Sequence, residues 1–374
     1  MVQKARVYLD HAASSPASAQ VCAAVAEAMA QAGNPSSLHG AGRDARRRLE
    51  QARESVAADL GARPGEVVFT SGGTEANNLA LLGATGAEGE ALVSAVEHVS
   101  VLEARRVLGS RVTVLPVDAA GRVDPAAMAS AIGPATRIVS VMWVNNETGV
   151  VQPVGEIAGA ARAAGVLSHT DAVQAVGHLP VDFADTGLDL LTLSAHKFGG
   201  PVGIGALLVR RGVTLTPPGF GGGQEAKLRS GTVPVALAVG MAVALREASA
   251  RLGTEAVRLA GLASGLTAGL AALPGVTVNT TAPASPAIVN ATFDGLRADD
   301  LLLLLDAAGI DCSTGSACSA GVHQPSEVLL AMGRGLAAAS GSLRFSFGPG
   351  TTAADIERLL AVLPEALASA RSAF

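Results

Sequence analysis

The chain has 374 residues, enough to bury a large core and, by length alone, to form two or three domains. Hydrophobic residues make up 49% and aromatics only 3%, so the core rests on Ala, Val and Leu; the 44 glycines and 18 prolines punctuate periodic segments instead of clustering, which argues against disorder. A net charge of -5 gives no electrostatic case for nucleic acid, no uninterrupted apolar stretch of about 18 residues reads as a membrane span, and three scattered cysteines (Cys22, Cys312 and Cys318) are not a disulfide framework and fit a reducing cytoplasm.

The start, MVQKARVYLDHAASSP, holds no extended apolar signal segment and reads as structure. The densest basic patch, RDARRR (43–48), reads as a solvated helix face. VVFTS (67–71) is expected as a strand and ANNLALLGA (76–84) as the helix after it. EALVSAVEH (90–98) reads as strand and turn, 99–108 as a helix, RVTVLPV (111–117) as a strand, and RIVSVMWVNN (137–146) as a strand with a polar end. VGEIAGAARAAG (154–165) is a helix stopped by Gly165. The runs 166–174, 188–197 and 203–211 continue the alternation. Strands separated by helices of about 10–15 residues imply an α/β fold with a mostly parallel sheet covered on both faces. After residue 233 a long helical stretch (234–272) leads to a strand at 287–293, a helix over 298–308, a Gly/Ser/Cys-rich loop (309–322), a helix over 325–332, the strand SLRFSFG (342–348) and a closing helix. The expected division is a large unit over 16–250 and a smaller α/β unit from 1–15 and 251–374.

Several polar groups fall where these strands end, which is where open α/β sheets place ligands. In TSGGTEANN (70–78), Gly72 and Gly73 allow a tight turn and Thr74 opens a helix whose free N–H groups suit a phosphate; an ordinary N-cap is the plain alternative, and the absence of GxxxxGK[ST] excludes a nucleotide P-loop. In HTDAVQ (169–174), Asp171 follows a strand. In LSAHKFGGP (193–201), Ser194, His196 and Lys197 sit together; a lysine at a strand end in a pocket loses its proton cheaply and attacks carbonyls. The S-x-x-K spelling lacks the companions of a serine hydrolase. Taken together these groups meet the needs of pyridoxal phosphate: a lysine for the aldehyde, an acid for the pyridine nitrogen, and donors for the phosphate.

The sequence resembles the cysteine desulfurases of the NifS/IscS kind, in the class V aminotransferase superfamily of fold-type I pyridoxal-phosphate enzymes. The resemblance runs over nearly the whole chain through YLDHAASSP (8–16), NPSSLHGAG (34–42), TSGGTEANN, EHVSV (97–101), VNNETGVVQP (144–153), HTDAVQAVG (169–177), LSAHKFGGPVGIGAL, RSGT (229–232), GSACSAG (315–321) and SLRFSFG. It implies a seven-stranded sheet in the large unit. It implies that Lys197 carries the cofactor, that Asp171 meets its ring nitrogen and Gln174 its hydroxyl, and that His98 stacks on the ring and helps move protons. Gly73, Thr74, Ser194 and His196 would take the phosphate, with Thr232 reaching it from the other subunit of a homodimer. Asn34, Asn146 and Arg344 would hold the substrate, Arg344 through its carboxylate. Cys318, in a loop of small residues, would take sulfur from L-cysteine as a persulfide, release L-alanine, and pass the sulfur to an acceptor such as an iron–sulfur scaffold protein. No metal ligand set is expected, since Cys312, Cys318 and His323 lack a usual spacing. Selenocysteine lyase, another amino-acid lyase on the same cofactor, and a non-catalytic sulfur scaffold remain as alternatives. The sequence departs from the family at His11, Ser14 and Ser15, where Asn and Thr are usual, and at SAHK for SGHK.

Overall fold

The computed structural model describes residues 6–315 and 324–372. In chain order its strands are β1 (Val7–Tyr8), β2 (Val67–Thr70), β3 (Glu90–Ser94), β4 (Val112–Leu115), β5 (Thr136–Ser140), β6 (Leu167–Asp171), β7 (Leu190–Ser194), β8 (Gly205–Val209), β9 (Val276–Val278), β10 (Ile288–Phe293), β11 (Ile310–Asp311) and β12 (Ser342–Ser346).

Seven of them form one sheet in the order β2-β8-β7-β6-β5-β3-β4. The pairs from β7 through β6, β5 and β3 to β4 are parallel, while β8 runs antiparallel to both of its neighbours. The exception has a simple cause: only residues 195–204 separate β7 from β8, too few for the helical crossover that a parallel pair needs. Alternate residues supply two apolar faces. Val68, Leu190 and Leu207 face one core with the helix Gly73–Thr85. Val67, Phe69, Leu191, Leu193, Ala206 and Leu208 face another, with Val56 and Leu60 on the helix Gly40–Asp59 side and Ala238 and Met241 on the helix Val235–Ala271. A strand buried on both faces reads as a continuous apolar run, which is why LLTLS and GALLV show no polar alternation.

A second core lies under the antiparallel sheet β12-β10-β9, with Val289, Ala291, Phe293, Leu343 and Phe345 packed against Leu266 and Leu270 of the long helix and against the helices Ala298–Ala307 and Ala353–Ser372. The chain start returns here: β1 pairs in parallel with β11, and Asp10 bridges to Ser346. Two expected elements differ. The helix over 99–108 is two separate turns, Val99–Leu102 and Arg105–Leu108. The strand from 137 ends at Ser140, because beyond it the Met142 N–H turns to the Glu97 carboxylate.

β2 is an edge strand, and its outward backbone groups are closed by side chains. Arg53 Nη1 donates to the Val67 carbonyl at 2.6 Å, and Glu225 Oε2 accepts from the Phe69 N–H at 2.7 Å. The same two side chains form a bidentate ion pair at 2.7 and 2.8 Å, and the Arg53 guanidinium lies 4.8 Å over the Phe69 ring.

Candidate active site

The C-terminal ends of the parallel strands open onto a cavity of about 810 Å³. β3 leads to Glu97 and His98; β5 leads to Met142 and Asn146; β6 ends on Asp171; β7 ends on Ser194 and turns through His196 and Lys197. The antiparallel β8 between β7 and β2 makes those two strands point the same way, so the helix Gly73–Thr85 after β2 also starts at this edge. Its cap residue Gly72 has no side chain to bond the first-turn N–H groups, and these are left for an anion. A Cβ on Gly73 would sit 2.9 Å from Val173 Cγ2, so any larger residue would force the Val173 side chain to shift.

Ten of the expected residues line this cavity: Gly73, Thr74, His98, Asn146, Asp171, Gln174, Ser194, His196, Lys197 and Arg344. Asn34 and Thr232 do not; both are exposed on their own chain, and Asn34 Oδ1 accepts from the Ser36 N–H. Cys318 and His323 lie outside the described residues.

Lys197 Nζ donates to the Ala12 and Ala13 carbonyls at 2.7 and 3.1 Å. Burial, helped by the Arg344 charge and opposed by Asp171 and Asp10, pulls its pKa down to about 8. About one-tenth of the amine is therefore neutral at pH 7, so an aldehyde or acylating probe should label Lys197 faster as pH rises through about 8 and reach a plateau above it. Peptide mapping of labelled protein across pH checks this; a rate still climbing at pH 10 would contradict it. His196 is held neutral, its pKa pushed down to about 4 by burial and then by Lys197.

Asp171 Oδ1 accepts from the Val173 N–H at 3.0 Å and Oδ2 from Asn77 Nδ2 at 2.7 Å. Gln174 Nε2 donates to the Ala12 carbonyl at 2.9 Å. Arg344 is almost fully buried: Nη1 donates to the Asn146 carbonyl at 2.8 Å, Nη2 to Asp10 Oδ1 at 2.7 Å, and Nε has no partner among the described residues. Arg344 is thus engaged in a salt bridge with Asp10, and the same side chain still lines the cavity. Sequence reasoning passed over Asp10, Asn77, Ser100 and Glu97. Asn77 had one readable signal, its place one helical turn after Gly73 and so on the same face. Glu97 is fully buried, and its pKa is pushed up to about 8 chiefly by desolvation, with Oε2 lacking a hydrogen-bond partner among the described residues.

This donor set fits pyridoxal phosphate. An uncapped helix start and a glycine cradle face the cavity, a lysine of lowered pKa and a buried carboxylate stand across it, and a buried arginine lines its wall.

The family described as Aminotransferase class-V matches residues 7–359. An IscS-like cysteine desulfurase of Mycobacterium tuberculosis is 48% identical over 382 residues, covering 98% of this chain and 97% of that protein. The crystallographic NifS-like protein of Rickettsia africae superposes with a TM-score of 0.90 at 30% identity, over 96% of this chain and 99% of the other. The solved structure of SspA in complex with cysteine superposes with a TM-score of 0.79 at 35% identity, over 92% of this chain and 99% of that one. With the family matched almost end to end and ten of the expected residues lining one cavity, the chain belongs to the class-V aminotransferases, among the cysteine desulfurases.

Proposed function

We propose that this protein uses pyridoxal phosphate to convert L-cysteine to L-alanine, leaving the sulfur on Cys318 as a persulfide. The observation that carries the reading is Lys197, of lowered pKa, facing Asp171 and the open start of the helix Gly73–Thr85 across one cavity.

Lys197 would hold the cofactor aldehyde and Asp171 its ring nitrogen, with Gln174 near its hydroxyl and His98 against its ring face. Gly73, Thr74, Ser194 and His196 would take the phosphate. Bound there, the cofactor supplies an electron-accepting ring that stabilises negative charge at the substrate α-carbon. The amine of Lys197, once free, is poised to take the α-proton, because burial has already lowered the cost of its neutral form. The Arg344 fork, whose Nη2 now rests on Asp10, would take the substrate carboxylate, beside Asn146 and with Asn34 as a further substrate contact. The Cys318 thiolate attacks the substrate sulfur: the carbon–sulfur bond breaks, a sulfur–sulfur bond forms, and protonation of the carbon gives alanine. The similarity to SspA, a relative solved in complex with cysteine, supports this substrate class.

The active form is proposed as a homodimer in which Thr232 completes the phosphate site of the other copy. Support comes from its exposure outside its own cavity, and from Arg229 of the same segment, which pairs with Glu75 in the first turn of the phosphate-binding helix at 3.0 Å. We assign the acceptor as a sulfur-carrying partner such as an iron–sulfur scaffold protein, the setting as cytoplasmic, and the domain division as 16–250 against 1–15 with 251–374.

After exposure to L-cysteine, mass spectrometry should find one added sulfur on the peptide holding Cys318, together with alanine release. Cys318→Ala should keep the cofactor absorbance and lose the added sulfur. Sustained alanine production by that variant would refute the persulfide role, and no alanine from the wild type would refute the whole reading.

A further inference from the structure

We propose that Asn77 is a positioning residue that, through Ser100, fixes His98 as the neutral imidazole with its proton on Nε2, while the same amide holds Oδ2 of Asp171. The inference rests on the placement of the cofactor between His98 and Asp171 proposed above, and extends it to the proton inventory of the site.

The direction of each hydrogen bond follows from its neighbours. Asn77 is 1% exposed, and its Nδ2 lies 2.7 Å from Asp171 Oδ2 and 2.9 Å from Ser100 Oγ. A flipped amide would set its carbonyl oxygen against a carboxylate oxygen, so Asp171 decides that the NH₂ group points this way. That leaves Asn77 Oδ1 buried and without a partner among the described residues, the cost of this orientation. Both Asn77 protons are then committed, one to Asp171 and one to Ser100 Oγ. The hydroxyl of Ser100 already accepts, so its own proton is directed at His98 Nδ1, 2.8 Å away. The Ser100 backbone N–H, which can only donate, also points at Nδ1, at 3.1 Å. Two donors converge on one ring nitrogen, and that nitrogen cannot carry a proton of its own. The neutral ring must therefore hold its proton on Nε2, which has no acceptor among the described residues.

Burial pushes His98 further toward the neutral form. Of the charged groups facing it, Lys197 opposes the cation and Asp171 favours it; Glu97, Glu103, Arg105, Arg106 and Arg344 line the same cavity. The chemical consequence is a division of labour. His98 offers a hydrogen-bond donor and cannot accept a proton at Nε2, so α-proton abstraction falls to Lys197 alone. Asn77 links the two cofactor-facing groups, because one amide bonds the acid at the ring nitrogen and orients the imidazole at the ring face.

The test is a long-range proton–nitrogen correlation spectrum of cofactor-loaded protein carrying ¹⁵N-histidine, with His98 assigned by loss of its signals in His98→Gln. In the wild type, Nδ1 should show the shift of an unprotonated nitrogen and Nε2 that of a protonated one between pH 6 and 8. Asn77→Asp replaces the donor with acceptors; the Ser100 hydroxyl turns to the new carboxyl, and the Nδ1 resonance should move toward that of a protonated nitrogen, at a higher pH than in the wild type. Ser100→Ala, which removes the hydroxyl but keeps the backbone N–H, should move it the same way by a smaller amount, and Ser100→Thr, which restores the hydroxyl, should return the wild-type pattern. A protonated Nδ1 in the wild type overturns the proposal. So do unchanged His98 shifts in folded Asn77→Asp, or in Ser100→Ala should the former fail to fold. Because the tautomer is read directly, a negative result here leaves alanine release as the separate measure of the desulfurase reading.

Discussion

Lys197→Ala is expected to abolish alanine formation from L-cysteine while leaving the fold intact. Loss of a positioned general base alone lowers a rate by roughly 10²–10⁴, and the same substitution removes the covalent hold on the cofactor, so the loss should reach the background of the assay. The fold should survive because Lys197 is not a structural support. Its two fixed partners are the carbonyls of Ala12 and Ala13, and the first of these keeps its bond from Gln174. The linkage sign agrees. The folded pKa of about 8 lies below the unfolded value of 10.5, so the charged amine opposes folding. That opposition is complete below about pH 8 and fades as pH rises to the unfolded value. The order-of-magnitude cost at pH 7 is about 3 kcal/mol. Below pH 8 the variant should therefore unfold at no lower denaturant concentration than the wild type. Near-normal turnover would remove Lys197 from the mechanism; a large drop in the unfolding midpoint would show that its role in the fold had been misjudged.

Glu225→Ala is expected to destabilise the protein by about 3–5 kcal/mol, the usual effect of removing one member of a buried ion pair. The side chains of Arg53 and Glu225 are 11% and 2% exposed, so the guanidinium left behind would lose its buried bidentate partner and much of its water, keeping only the solvent-exposed Glu50 at 3.1 Å. The Phe69 N–H on the free edge of β2 would also lose its acceptor. A third contribution is conformational: Glu225, Ala226 and Lys227 have φ of 45°, 55° and 67°, a run of left-handed residues that persists because Glu225 anchors its start. Glu225→Gln keeps an acceptor for Phe69 and should lose less. Urea unfolding monitored by circular dichroism measures both; equal midpoints for wild type and Glu225→Ala would contradict the clamp.

The sheet was legible because its strands carry their burial in their spelling: VVFT, LLTLS and GALLV are apolar on both faces, while β4, at the opposite edge, exposes two of its four positions and β5 exposes Arg137. The turn at 195–204 was equally readable, since no helix fits between its flanking runs. The helix over 99–108 was not, because nothing in VLEARR is a breaker. There Glu103 pairs with both Arg105 and Arg106 and closes the gap between two single turns. Among site residues, Lys197, Asp171 and Thr74 stood out because each ends a strand or opens a helix. The groups that orient them did not. Asn77 reaches Asp171 across 94 residues of chain, and Asp10 reaches Arg344 across 334. Such pairings leave no local periodicity, and a polar residue within an apolar helix face is the only trace they give.

The long helix Val235–Ala271 sets a rule for how this chain can vary. Its first buried stretch ends at Ala248 in one core and its second begins at Leu259 in the other. Eleven residues make about three full turns, so both cores meet the helix on nearly the same side. One residue added or removed between them would rotate everything beyond it by about 100°, turning Leu262, Leu266 and Leu270 toward water and swinging the sheet that holds Arg344 away from the cavity. Length in this helix is thus phase: the angular relation between the lysine side of the site and the arginine side is counted out in residues, and only changes close to whole turns would preserve it.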